Sequence, residues 1–285
     1  MNLLITGSNG QLGNEIKALA ANYPACHFIF TDVAELDITN AEAVTDFFKR
    51  EAINAVINCA AYTAVDKAET DVELASLINA TGPANLARAA KVVNAKMIQV
   101  STDYVFNGTS NVPLKETDAT DPIGVYGSTK ADGEQAVLSS GCDAIVIRTS
   151  WLYSTYGNNF VKTIRKYGAE RGQLKVVFDQ VGTPTYAHDL AKCCLDIITS
   201  NEKISDKGNV YHYSNEGAIS WFDFAHAIIE LSGIQCDIEP VDSAQFVTAA
   251  KRPNYSVMDK TRIKADFGIS IPYWRQSLER CIQLL

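Results

Sequence analysis

The chain has 285 residues, 47% of them hydrophobic and 20% charged, with a formal net charge of −8. That length buries a full core, as one large domain or as a principal domain with a smaller one. The acid excess excludes the basic face by which nucleic acid is bound. No apolar run approaches the ~18 residues of a membrane span. The opening residues 1–7 lack the basic start, long apolar stretch and cleavage site of a signal peptide, so a cytosolic protein is expected. The seven cysteines, Cys26, Cys59, Cys142, Cys193, Cys194, Cys236 and Cys281, include no C-x-x-C pair and read as buried reduced thiols.

Along the first half, short apolar runs at 3–5, 27–30, 55–58, 96–100 and 144–147 are predicted strands. Amphipathic segments near 11–22, 41–51, 72–93 and 128–139 are predicted helices between them. This β-α alternation predicts an α/β fold, a doubly wound parallel sheet of Rossmann type with helices on both faces. Gly7, Gly10 and Gly13 follow the first strand directly and open the first helix, with Gln11 and Leu12 between the last two. In that context glycines allow a tight turn and a close approach of backbone to a pyrophosphate, which the helix N-terminus then binds. The competing reading is an ordinary strand-to-helix turn.

Asp32 is expected to end the second strand, where a carboxylate accepts hydrogen bonds from an adenosine ribose and repels a 2′-phosphate. No Arg or Lys stands beside it within 32–35 or in the glycine loop, which favours NADH over NADPH. Asp37 and Ile38 follow near the adenine position. Ala61, Tyr62 and Thr63, after the third strand, are expected to line the same crevice. Ser101, Thr102 and Asp103 end the fourth strand at that edge. Tyr126 and Lys130 then stand four residues apart, one helical turn on one face. An ammonium there favours phenolate over phenol. Together the residues supply what carbonyl reduction needs: a hydroxyl that polarises, an acid, and an oriented hydride donor.

The second half is less regular. Helices are predicted at 159–167, from just after Pro184 to Ile198, from Ser220 as N-cap to Leu231, and from near Pro272 to the end. Strands are predicted at 174–178 and 210–213. Residues 1–150 read as a dinucleotide-binding domain with returning segments near 184–215, and 151–285 as mainly a smaller, sequence-interleaved α/β substrate domain.

The run from Ser101 through Gly108 (Ser, Thr, Asp, Tyr, Val, Phe, Asn, Gly) resembles the signature of the dTDP-4-dehydrorhamnose reductases, a family of extended short-chain dehydrogenases/reductases. The strings at 62–69, 116–118, 148–153, 157–160, 179–185 and 252–253 resemble the same family, as does the glycine spacing G-x-x-G-x-x-G. The resemblance spans essentially the whole chain. It implies reduction of the C4 keto group of dTDP-4-dehydro-L-rhamnose to dTDP-L-rhamnose by NADH or NADPH, for cell-surface polysaccharide. By motif, Thr102, Tyr126 and Lys130 form the catalytic set. Thr102, Asp103 and Trp151 would contact the sugar nucleotide. Gly10, Gln11, Leu12, Asp32, Asp37, Ile38, Ala61, Tyr62, Thr63, Tyr126 and Lys130 would hold the cofactor. Arg252 is expected on the diphosphate, where a planar guanidinium suits bidentate contact; the competing reading is a solvated surface arginine. Trp151 has a competing reading as core.

Some family members resemble metal-linked dimers built on three glutamates. Here Glu15 matches the first, but His188 and Arg275 stand at the other two, a poor set for magnesium. No metal site is expected, and the protein is read as a monomer or a homodimer without a bridging metal. Two alternatives remain at this point. One is an epimerase or dehydratase on another nucleotide sugar, which would recycle its cofactor. The other is a non-catalytic, cofactor-binding regulatory subunit, which has no need of a proton donor.

Overall fold

The structure, a computed structural model, describes residues 1–200, 203–206 and 208–285. The first half runs β1 (Asn2–Thr6), α1 (Gln11–Leu19), β2 (His27–Phe30), α2 (Ala41–Arg50), β3 (Ala55–Asn58), α3 (Val65–Ala68), α4 (Val72–Ser76), α5 (Gly82–Val93), β4 (Lys96–Thr102), α6 (Val125–Ser139) and β5 (Asp143–Thr149). The second half runs β6 (Leu152–Tyr153), α7 (Phe160–Arg171), β7 (Gln173–Val177), β8 (Val181–Gly182), β9 (Thr185–Tyr186), α8 (Ala187–Ile198), β10 (Val210–His212), β11 (Ile219–Ser220), α9 (Trp221–Leu231), β12 (Asp237–Val241), α10 (Thr261–Phe267) and α11 (Trp274–Ile282).

Six strands form one parallel sheet in the order β10-β5-β4-β3-β1-β2. Both of its faces are covered, and the side chains show it by parity, since alternate residues of a strand point to opposite faces. Leu3, Ile5, Ile57, Ile98 and Ile147 pack with Leu12 and Ile16 of α1 and with Leu190 and Cys194 of α8. Leu4, Val56, Met97 and Ala144 pack on the other face, against Val44 and Phe48 of α2 and Leu86 and Ala90 of α5. A separate core joins Val161 and Ile164 of α7, Phe224 and Ile228 of α9 and Trp274 and Leu278 of α11 over Val176 of β7 and Ile238 of β12.

The predicted helix at 72–93 is interrupted. A π-helical turn, Leu77–Thr81, joins α4 to α5. Pro83 has no N–H to give the carbonyl four residues back, and that carbonyl, of Asn79, lies so close to α6 that a Cβ on Gly133 would sit 2.1 Å from it. The helix predicted from 128 starts at Val125, whose N–H donates to Glu69 Oε1 at 2.9 Å, so Tyr126 occupies the first turn. Predicted boundaries in the second half move by up to four residues; α7 runs on to Arg171, α8 starts at Ala187 and α11 at Trp274. Strand β12, parallel to β7 over five residue pairs, and helix α10 were not legible as separate elements. All seven cysteines are free; three are buried and four, including Cys59, only half-buried.

Candidate active site

The winding of the sheet reverses at β1, which lies between β2 and β3, and ligands of open α/β sheets sit beyond the strand ends at such a point. There the structure has a cleft of about 740 Å³, of ordinary size for a ligand site. Its phosphate end is built by backbone. Gly7 has φ +61, and a Cβ on it would lie 2.6 Å from Ala60, so only glycine fits the turn. No side chain caps α1, which leaves its first N–H groups directed at the cleft. Gly10, Gln11, Leu12, Asp32, Asp37, Ile38, Ala61 and Thr63 all line it with Gly7. These features fit a dinucleotide: glycine backbone in place of side chains, an uncapped helix end, and carboxylates at the ribose distance along the chain.

Two of the expected cofactor residues lie outside the lining. Gly13 serves packing instead, since a Cβ there would meet Ser8 at 2.5 Å. Tyr62 turns its ring away and donates its hydroxyl to Asp71 at 2.9 Å, while its N–H donates to Asn79 Oδ1 at 2.8 Å. Asp32 is not the last residue of β2, which ends at Phe30. It stands in the following turn, where its carboxylate accepts from the N–H groups of Asn9 and Val33.

At the other end of the cleft Thr102, Asp103, Tyr126 and Lys130 come together. The Thr102 hydroxyl donates to Asp103 Oδ1 at 3.1 Å and accepts from the Tyr104 N–H at 3.2 Å. The Tyr104 ring meets Tyr126 edge-on, centroids 5.4 Å apart. Lys130 Nζ donates to the Val100 carbonyl at 2.7 Å. Burial pushes the Tyr126 phenol up to about 12, against the pull of the Thr102 hydroxyl beside it. The expected lowering of the phenol by Lys130 is therefore not seen: the shift is upward and set by burial, and Lys130 is not among its causes. Burial also pushes Lys130 down to about 8, with Glu134 opposing, and lifts the Asp103 carboxyl to about 6, against the Ser256 and Thr102 hydroxyls.

Trp151 lines the cleft with φ +46, a left-handed conformation that is costly for a large side chain. Its indole stacks on Trp221 at 3.6 Å, and a Cβ on Gly182 would lie 2.8 Å from it. Trp221, which also lines the cleft, was missed in the sequence, where it read only as the start of a helix after its cap. Arg252 does not line the cleft. Its Nη2 donates to Asp66 Oδ2 at 2.8 Å and Nη1 to Asp66 Oδ1 at 3.3 Å, so its fork is paired with a carboxylate. Asn79, held in the π turn, was also missed; its Nδ2 donates to Tyr62 O and Thr129 Oγ1, tying the β3 loop to α6 beside Lys130.

Away from the cleft, Glu15 is buried, accepting from the Ser154 hydroxyl and lying 3.1 Å from His188 Nδ1. Arg275 bonds Glu230 at 2.8 Å. Among the described residues no three His, Cys, Asp or Glu side chains converge as a metal site would require.

The whole chain, residues 1–285, matches the family described as the RmlD substrate binding domain. It is 41% identical to the dTDP-4-dehydrorhamnose reductase of Aggregatibacter actinomycetemcomitans over 97% of each chain. Among solved structures, a dTDP-4-dehydrorhamnose reductase from Clostridium acetobutylicum superimposes with a TM-score of 0.95 at 45% identity, covering 100% of this chain and 99% of that one. The Bacillus anthracis dTDP-4-dehydrorhamnose reductase, solved in complex with NADP, has a TM-score of 0.94 at 38% identity with the same coverage.

Proposed function

The chain belongs to the RmlD substrate binding domain family, and on that premise we propose that it reduces the C4 keto group of dTDP-4-dehydro-L-rhamnose, with NADH or NADPH, to dTDP-L-rhamnose. The observation that carries the reading is the convergence of Thr102, Tyr126 and Lys130 in the same cleft as the Gly7 turn and the uncapped start of α1. A nicotinamide cofactor, when bound, supplies the hydride. The Thr102 hydroxyl hydrogen-bonds the keto oxygen, and Tyr126 gives that oxygen its proton as negative charge develops. Lys130, fixed by the Val100 carbonyl, would hold the nicotinamide ribose in the same cleft. Gly7, Gly10 and the α1 N-terminus take the pyrophosphate; Asp32 and Asp37 take the ribose and adenine side.

Asp103 and Trp151 face the sugar nucleotide, with Trp221 behind Trp151. Asp32 supports a preference for NADH, since its carboxylate opposes a 2′-phosphate. No described helix is long and apolar enough to cross a membrane, and we assign the reaction to the cytosol, where the nucleotide sugar and the cofactor are dissolved.

The reading is tested by incubating the purified protein with the keto-sugar nucleotide and either cofactor. NADH absorbance should fall in step with dTDP-L-rhamnose formed, which a cofactor-recycling epimerase would not show. Tyr126→Phe should lose ~100-fold or more in kcat, the weight of a lost general acid. Wild-type protein that leaves the keto sugar unchanged with both cofactors would sink the assignment.

A further inference from the structure

Ser101 on β4, Arg148 on β5 and His212 on β10 are register partners across three neighbouring strands. One side chain from α6 closes over this row. Glu134, 4% exposed, accepts from the Ser101 hydroxyl at 2.5 Å and from Arg148 Nε at 3.0 Å through Oε1. Its Oε2 accepts from Arg148 Nη2 at 2.7 Å. Arg148, also 4% exposed, lies 5.0 Å from the Phe106 ring centroid, and its Nη1 is 3.5 Å from Nε2 of the fully buried His212. Burial and the Arg148 charge push His212 down to about 3, so it is neutral and offers a lone pair to the guanidinium.

Desolvating two charges costs several kcal/mol each, on the order of what their attraction returns, so a buried pair of this kind is a weak device for stability alone. Its placement explains it better. Glu134 stands four residues after Lys130 and eight after Tyr126 on the same helix, and it grips the strand residue that precedes Thr102.

We propose that Glu134 is a positioning residue for the reduction: by clamping α6 to Ser101 and Arg148, it fixes the distance between the Tyr126 and Lys130 pair on the helix and Thr102 on the strand. The inference rests on the reductase reading above. Ser101 and Arg148 act through it; Ser101 also lines the cleft, whereas Glu134 and Arg148 lie outside its lining. The clamp also serves Lys130 by charge. The groups facing that ammonium are Glu134, the Cys59 thiol and the Val100 carbonyl; only Glu134 is an anion.

Two variants test it, Glu134→Gln and Ser101→Ala, the second removing one hydroxyl while leaving the ion pair whole. Both are measured for melting temperature, NADH affinity by fluorescence, kcat, KM and the pH profile of kcat/KM, with rates referred to the fraction that binds NADH. A displacement of the pair by a fraction of an ångström is expected to lower kcat about 10-fold or more in Glu134→Gln and about threefold in Ser101→Ala. NADH affinity should stay within about threefold. In Glu134→Gln the alkaline limb should also move to lower pH, because Lys130 has lost the anion that opposes its burial. A purely structural clamp would lower the melting temperature and leave kcat per folded molecule and the limb in place. That result in either folded variant, or in Ser101→Ala should Glu134→Gln fail to fold, overturns the proposal. Inactivity of the wild type toward the keto sugar would instead sink the reductase reading.

Discussion

Asp103 shows how a single residue couples site and stability. Its carboxyl is 2% exposed and is raised to about 6, from ~3.9 for an ordinary aspartate. Between those values the folded protein holds a proton that the unfolded chain has released. Asp103 therefore contributes least to stability above pH 6 and costs progressively more as pH rises from about 4. Asp103→Asn, which cannot ionise, should be more stable relative to wild type at pH 7 than at pH 4, by on the order of 2 kcal/mol. Urea unfolding at the two pH values measures the difference; an equal effect at both would mean that the carboxyl titrates normally. Which side chains share the cleft was legible in the sequence where they are near along the chain, as with Tyr126 and Lys130. The pairing of Arg252 was not legible, since its carboxylate partner Asp66 is 186 residues away.

The elements that could be read in advance are those whose ends carry their own signal. Ser220 accepts from the Asp223 N–H at 3.1 Å, and Asp223 Oδ2 accepts from the Ser220 N–H at 2.9 Å, a reciprocal cap that fixes the start of α9. Ser220→Ala should cost about 1 kcal/mol by chemical denaturation. Because Trp221 follows the cap and stacks on Trp151, KM for the sugar nucleotide is expected to rise while NADH affinity is unchanged; an unchanged KM would uncouple the cap from the cleft. The π turn between α4 and α5 was illegible for the opposite reason. Its cause lies partly in Pro83 but also in Gly133 and Thr129 of another helix, which no local pattern announces. Strand β12 failed too, since Asp237, Glu239 and Pro240 give it little β-like character until β7 supplies the parallel partner.

For the whole molecule, alternation of strands and helices was enough to anticipate the parallel sheet, because both of its faces must be buried and each strand shows that in its composition. What alternation cannot tell is which later segment covers which face. Helix α8 lies beyond residue 186, yet it supplies Leu190, Cys194 and Ile198 to the cover over Ile5, Ile57 and Ile98, and β10 completes the sheet beside β5. Residues 1–150 expressed alone should therefore be insoluble or bind dye as a loose globule; a soluble fragment with a cooperative melt would show that the first half closes by itself. The same packing sets a rule for recombination. A chimera joined at residue 150 would inherit one relative's strands and another's lid for them, mismatching side chains across a buried seam. Exchange of sugar specificity between relatives would succeed only where the crossovers leave α8 and β10 with the strands they complete, so that this family's specificity travels in pieces rather than as one downstream cassette.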